Sequence, residues 1–243
     1  MKNSFFLKII TYVISIIDSK NKKKIVNFFK KFFSDKYLNI VDVGAHRGET
    51  IEFFVKNFKI NQILAFEPNL ELLSVLKKYQ KLLKKKLTIL NIGLGEKKES
   101  KKLSIMSESS SSTINELNTN TQYYKRKKKL LSIFLLGQGF FKKKETIEID
   151  TLSNILKKIQ FKEIDILKID TEGYELNVLK GISDEDFKKI RFIYFEHHFD
   201  LMIKKGYKYS DINSFLLEKN FKLKFKLKMK FRKSFEYIYE VSH

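Results

Sequence analysis

The chain has 243 residues, enough for one domain with additional elements and a substantial apolar core. A hydrophobic share of 43% with 14% aromatics excludes wholesale disorder, and one Pro with nine Gly excludes collagen-like and Pro-rich classes. The absence of Cys removes disulfides, thiolate metal sites and Cys nucleophiles together, and suits a reducing, cytoplasmic setting. The net charge of +21 is carried by Lys, since only Arg47, Arg126, Arg191 and Arg232 supply guanidinium groups. Base reading and bidentate phosphate recognition favour the planar Arg fork, so this charge does not by itself name an anionic partner. General Lys enrichment of the coding sequence explains it equally well.

The first seventeen residues, MKNSFFLKIITYVISII, are mostly apolar, but Lys8 interrupts them and no small-x-small cleavage site follows. A helix packed on the domain or lying at a membrane surface fits better than a signal peptide. A second helix is expected from Asn21 to Phe33, with Ile25, Phe28, Phe29, Phe32 and Phe33 at helical spacing. Residues 1–36 therefore read as an N-terminal helical extension, and residues 37–243 as the main domain.

From Asn39 strands alternate with helices. NIVDV, QILAF, LTILNI, EIDILKI and RFIYFE read as strands; Glu49 to Phe58, Leu70 to Leu83 and a segment from Tyr174 read as helices. Near-continuous apolar strands separated by helices indicate an α/β fold with a parallel sheet buried on both faces. Two segments interrupt it. MSESSSSTINELNTN reads as loop, and the stretch at about 119–145 places an apolar run between basic clusters, as a solvated lid or a flap facing membrane or acceptor. At the end, FKLKFKLKMKF alternates apolar residues with Lys, which predicts Phe221, Leu223, Phe225, Leu227, Met229 and Phe231 on one inward face. SFEYIYEV follows, so the domain is expected to close with an antiparallel hairpin.

The strongest local signal is IVDVGAHRGET. A strand ends at Asp42 and Val43, and Gly44 and Gly48 bracket a short turn into a helix whose N-terminus offers unpaired N–H groups, which makes Asp42, Gly44, Ala45 and Gly48 candidates for cofactor contacts. Glu67 stands at the end of the next strand, where a carboxylate accepts hydrogen bonds from a ribose diol. The dinucleotide pattern GxGxxG is absent, which suits S-adenosylmethionine, a cofactor with ribose and adenine but no pyrophosphate. Gly93 and Leu94, just past the third strand, are candidates for contacts near its adenine. Farther on, KIDTEGYELNVLKG puts Asp170, Glu172 and Gly173 at a strand tip, where ligands of open α/β sheets bind.

With these motifs the chain resembles the FkbM-type family of S-adenosylmethionine-dependent methyltransferases from about Asn39 to Glu240, more faintly between Asn118 and Glu145. DVGAHRGET is similar to the family's first motif, with His46 where Asn is usual, and AFEPN to its second. NIGLGEKKES with SSSSTI, IEIDTL, KIDTEGYELNVLKG and FEHH resemble the segments at the third, fourth and fifth strands. The resemblance implies a class I, Rossmann-like methyltransferase: a mostly parallel seven-stranded sheet, helices on both faces and a C-terminal antiparallel hairpin. It also implies O-methylation of a sugar, glycan or natural product.

Methyl transfer to oxygen needs positioning and a base for the hydroxyl proton. Asp170 is the first candidate, His197 the second and His198 the third; alternation along a strand lets only one His reach the pocket. Glu196 is a candidate for acceptor hydroxyls, and Glu172 for the acceptor, the cofactor's amino group or a helix cap. Ser109 to Thr113 read either as hydroxyls lining the pocket or as a solvated loop. Asp170, Glu172, Glu196 and a His have the chemistry to hold a hard cation, but nothing in their spacing requires one, so no metal is expected. His46 reads as a local hydrogen bonder. As Pro68 is the only Pro, the Pro-Pro-aromatic turn of base amino-methylation is absent, whereas ribose methylation of RNA stays open. Other rivals are a non-catalytic binding module and peripheral membrane contact, at the inner face, through the N-terminal helices or the 119–145 segment.

Overall fold

A computed structural model describes residues 20–242 except 108–111, 135–140, 160 and 230–232. The expected helix at 1–17, Ser109 to Ser111 and Phe231 lie outside the described residues. Helix α1 covers residues 20–30, followed in chain order by β1 (Leu38–Val43), α2 (Glu49–Asn57), β2 (Ile60–Phe66), α3 (Leu73–Leu83) and β3 (Leu87–Leu90). Next come β4 (Gly93–Leu94), β5 (Glu99–Met106), α4 (Gln122–Phe134), β6 (Phe141–Asp150), α5 (Leu152–Ile159) and β7 (Ile164–Ile169). The remainder comprises α6 (Glu175–Lys180), α7 (Asp184–Phe187), β8 (Ile190–His198), α8 (Tyr209–Glu218), β9 (Phe221–Lys228) and β10 (Ser234–Val241).

Seven strands form the main sheet in the order β3-β2-β1-β7-β8-β10-β9. The first five are parallel to their neighbours, while β10 is antiparallel to both β8 and β9. This is the expected α/β sheet with its terminal hairpin. Helices cover both faces because both faces are apolar. Leu152, Leu156, Val178, Leu179, Ile212 and Leu216 pack from α5, α6 and α8 on one side. Ile25, Phe29, Ile51, Phe54 and Leu76 pack from α1, α2 and α3 on the other.

Helix α1 belongs to that second core. Phe29 is fully buried, its ring centroid 5.6 Å from Phe192, and Phe28 lies 6.0 Å from Phe192 and 5.2 Å from Phe225. The Phe face of this helix is thus occupied by the sheet. Among the described residues no helix is long and apolar enough to cross a membrane.

Two features depart from the sequence pattern. The 119–145 segment contains helix α4 and the start of β6, and β6 joins β4 and β5 in a separate three-stranded sheet. Tyr124 anchors α4 by packing with Met106, Met202 and Ile203. In β9 the alternation of residue types does not translate into one buried face: Leu223 is 40% exposed. The pairing with β10 slips between Ile238 and Tyr239, so that Phe221 enters the core under α8 while Phe225 and Leu227 enter the one under α1. An extra residue in one strand exchanges its faces, and only the partner strand reveals it.

Candidate active site

The carboxyl ends of β1, β2, β7 and β8 open into a cavity of about 410 Å³. One half of it is built by the turn after β1. Gly44 has φ +85°, and a Cβ there would lie 2.0 Å from the backbone oxygen of Asp170. Only Gly permits the close approach of the β1 and β7 tips, which is sealed by the Asp170 N–H donating to the Val43 carbonyl. Across the gap Glu67, 6% exposed, accepts the backbone N–H of His46 at 2.8 Å on Oε2 and that of Asn69 at 2.8 Å on Oε1. A carboxylate offers about four acceptor positions, so a ribose diol still finds room on Glu67. Burial pushes its pKa up, against the pull of those two amides.

Ala45, Gly93 and Leu94 line this half, with Leu72 and Ile92 adding apolar wall. Asn91 ties the floor together by donating to the carbonyls of Glu67 and Pro68. Ser112 and Thr113 also line the cavity, and the Thr113 hydroxyl donates to the Glu172 carbonyl at 2.8 Å. His46 hydrogen bonds through Nδ1 with Glu49 at 3.0 Å and is a local hydrogen bonder. Two expected cofactor contacts stand elsewhere. Gly48, at φ +90°, starts α2, and a Cβ there would strike the Tyr79 ring at 2.7 Å, so helix packing accounts for this glycine. Asp42 lies beneath the cavity, fully buried, and neither of its oxygens has a hydrogen-bond partner.

The other half is acidic. Asp170, Glu172, Glu196 and Glu236 line it, and among them stands Lys168, buried to 4% exposure. Its Nζ lies 3.3 Å from Asp170 Oδ2 and 4.4 Å from the Tyr194 ring centroid. Burial opposes the charge on Lys168, but Asp170, Glu236, Glu196 and Asp42 outweigh it and raise its pKa. It is an ammonium. Burial lifts Asp42, Glu172 and Glu236 to about 7, with Lys168 resisting this at Asp42 and Glu236, and His198 at Glu172.

The two histidines separate as strand alternation requires. His198 Nε2 lies 3.4 Å from Glu196 Oε1 and 3.7 Å from Glu172 Oε2, and its Nδ1 lies 3.6 Å from Asp200 Oδ2. Burial disfavours its charge, yet Asp200, Glu172 and Glu196 prevail and bring its pKa to about 9. At neutral pH it is an imidazolium that braces two cavity carboxylates, and neither ring nitrogen is open to take a proton. His197 faces the opposite side, among Phe199, Tyr207 and Tyr209, and burial lowers it to about 4. Neither histidine lines the cavity, so the expectation that one would reach it is not met; His198 acts on it only through the carboxylates it touches. Among the described residues no group of three His, Asp or Glu is arranged to hold a metal ion.

The sheet order, the glycine turn under Glu67 and the acidic β7 tip define a class I methyltransferase site, with Gly44, Glu67 and the apolar wall fitting S-adenosylmethionine. The Methyltransferase FkbM domain family matches residues 42–223, and the chain belongs to that family. Among solved structures it is similar to Methyltransferase FkbM from Methylobacillus flagellatus, with 15% identity and a TM-score of 0.53. That match covers 84% of this chain and 44% of the other, so the chain spans less than half of that protein's length. It is also similar to magnesium protoporphyrin IX methyltransferase from Synechocystis, solved with S-adenosylhomocysteine: 9% identity, TM-score 0.51, covering 94% of this chain and 85% of that one. TrmK from M. capricolum, likewise holding S-adenosylhomocysteine, matches at 10% identity and a TM-score of 0.50, over 88% and 66%. No protein of curated function matches the sequence.

Proposed function

We propose that the protein transfers a methyl group from S-adenosylmethionine to a hydroxyl of a sugar, glycan or natural-product acceptor. The observation that carries this reading is the convergence of Gly44, Glu67 and Asp170 from three strand tips on one cavity, with further carboxylates beyond them. S-adenosylmethionine supplies a methyl group on a sulfonium, ready for in-line displacement. In that displacement the acceptor oxygen bonds to the methyl carbon, the carbon–sulfur bond breaks, and the hydroxyl proton must go to a base.

In this reading Asp170 takes that proton or orients the hydroxyl, supported by a side chain about one-third exposed that borders the cavity and is steadied by Lys168. Glu172 and Glu196, braced by His198, are suited to accept hydrogen bonds from neighbouring hydroxyls. The acidic lining also favours this reading over ribose methylation of RNA, since phosphates approaching these carboxylates would be repelled despite the basic surface. Of the segments expected at a membrane, the 119–145 stretch retains a basic helical face in α4, and a peripheral contact there is compatible with a lipid-linked acceptor.

Calorimetric titration with S-adenosylmethionine and S-adenosylhomocysteine tests the reading. Glu67→Ala should weaken both by roughly 10- to 100-fold, because hydrogen bonds to a charged group contribute about 1.5–3 kcal/mol. Asp170→Asn should keep cofactor affinity and lose turnover in an acceptor screen. A folded wild type that binds neither compound would end the methyltransferase reading.

A further inference from the structure

Glu196 and Glu236 face each other in register on β8 and β10, at the side of the cavity away from Gly44 and Glu67. They are 5% and 8% exposed. Glu236 interacts with the Tyr194 hydroxyl and with Lys168, yet its Oε2 accepts no hydrogen bond. Glu196 Oε1 also accepts none, although the His198 ring at 3.4 Å and the Lys168 ammonium act on it as charges. A buried carboxylate oxygen without a donor is costly, and here two of them border the same space.

The charges point the same way. Asp42, Asp170, Glu172, Glu196 and Glu236 stand around two buried cations, Lys168 and His198, and His198 is further shared with Asp200. Even with Asp42, Glu172 and Glu236 half protonated near neutral pH, the negative charge exceeds the positive. Neutral hydroxyls of an acceptor would give Glu196 and Glu236 hydrogen bonds but leave this excess of negative charge in place. A ligand cation would supply both the donors and the missing charge. The cofactor's own positive sulfonium would not substitute for it, since a sulfonium has no N–H or O–H to donate and would leave Glu196 Oε1 and Glu236 Oε2 without hydrogen bonds.

We infer that the acceptor carries a basic amine beside the hydroxyl that is methylated, and that its ammonium group sits between Glu196 and Glu236. The acceptor class is then an amino sugar, aminocyclitol or similar amino alcohol. This inference rests on the methyltransferase reading above and narrows its substrate.

Matched amine and alcohol twins test it on the full chain loaded with S-adenosylhomocysteine: glucosamine against glucose, and an aminocyclitol against the parent cyclitol, titrated by saturation-transfer NMR. The amine of at least one pair should bind about 10-fold more tightly than its twin, as a charge-assisted contact requires. Glu236→Gln should erase that preference, with Glu196→Gln as a second variant should the first fold poorly, while S-adenosylhomocysteine affinity stays at the wild-type value. Equal binding within every pair, binding of neither member, or a preference that survives both variants would overturn the inference. Failure of wild type to bind S-adenosylhomocysteine would instead overturn the methyltransferase reading itself.

Discussion

Lys168→Met should destabilise the protein by about 3–5 kcal/mol at pH 8 and abolish methyl transfer, as removing one partner of a buried ion pair leaves the other uncompensated. The thioether fills much of the ammonium's stem volume, so the loss measures charge and not packing. Asp42, Asp170, Glu196 and Glu236 all raise the Lys168 pKa, and Lys168 in turn holds down Asp42 and Glu236. Without it these carboxylates escape the cost by taking up protons, so the destabilisation should shrink markedly at pH 5.5. Urea unfolding of both proteins at the two pH values checks this. Adding Glu236→Gln to Lys168→Met should restore part of the stability at pH 8, a non-additivity expected of residues in one network. A Lys168→Met protein as stable at pH 8 as at pH 5.5, relative to wild type, would show that the ammonium does not hold the acidic end together.

That centre was only half legible in the sequence. Gly44, Glu67 and Asp170 were visible because each ends an apolar strand, and strand ends in such sheets converge whatever the rest of the chain does. Lys168 has a signal of its own in the sequence, as the one cation in IDILKI, a strand buried along its whole length. Glu236 carried none, since it becomes a site residue only by pairing opposite Glu196, forty positions away in the chain. Gly48 misled for the same reason. Its left-handed turn was readable, but the ring requiring it belongs to Tyr79 on another helix. Alternation separates the two histidines but does not say how far either extends: neither lines the cavity, and His198 stops at the carboxylates beside it, a depth set by tertiary packing. The Lys-alternating tail shows the limit most clearly, because a single register slip in β9 divides a uniform pattern between two cores.

His198 should make stability fall as the solution becomes alkaline. Its pKa is about 9 in the folded chain against 6.5 for the free side chain, so the folded state holds the proton more tightly. The resulting stabilisation is fully present below pH 6.5, declines above it, and is lost as pH rises through 9. A difference of this size corresponds to about 3 kcal/mol. The raised carboxylates Asp42, Glu172 and Glu236 act in the same sense, but their contributions fade between the ordinary carboxylate range and about pH 7. His197, held down near 4, has the opposite sign: its contribution is present above 6.5 and is lost on the acid side. At pH 7 Asp42, Glu172 and Glu236 are still half protonated, and His46 is raised as well. The window from pH 8 to 9.5, read as the difference between wild type and a His198 variant, therefore isolates His198. Urea midpoints measured across it should fall steeply for wild type and stay nearly level for His198→Gln. Acceptor turnover should fall in the same window, because Glu172 and Glu196 lose the cation that braces them. An equal slope in the variant would assign the alkaline loss to some other group and leave His198 without its bracing role.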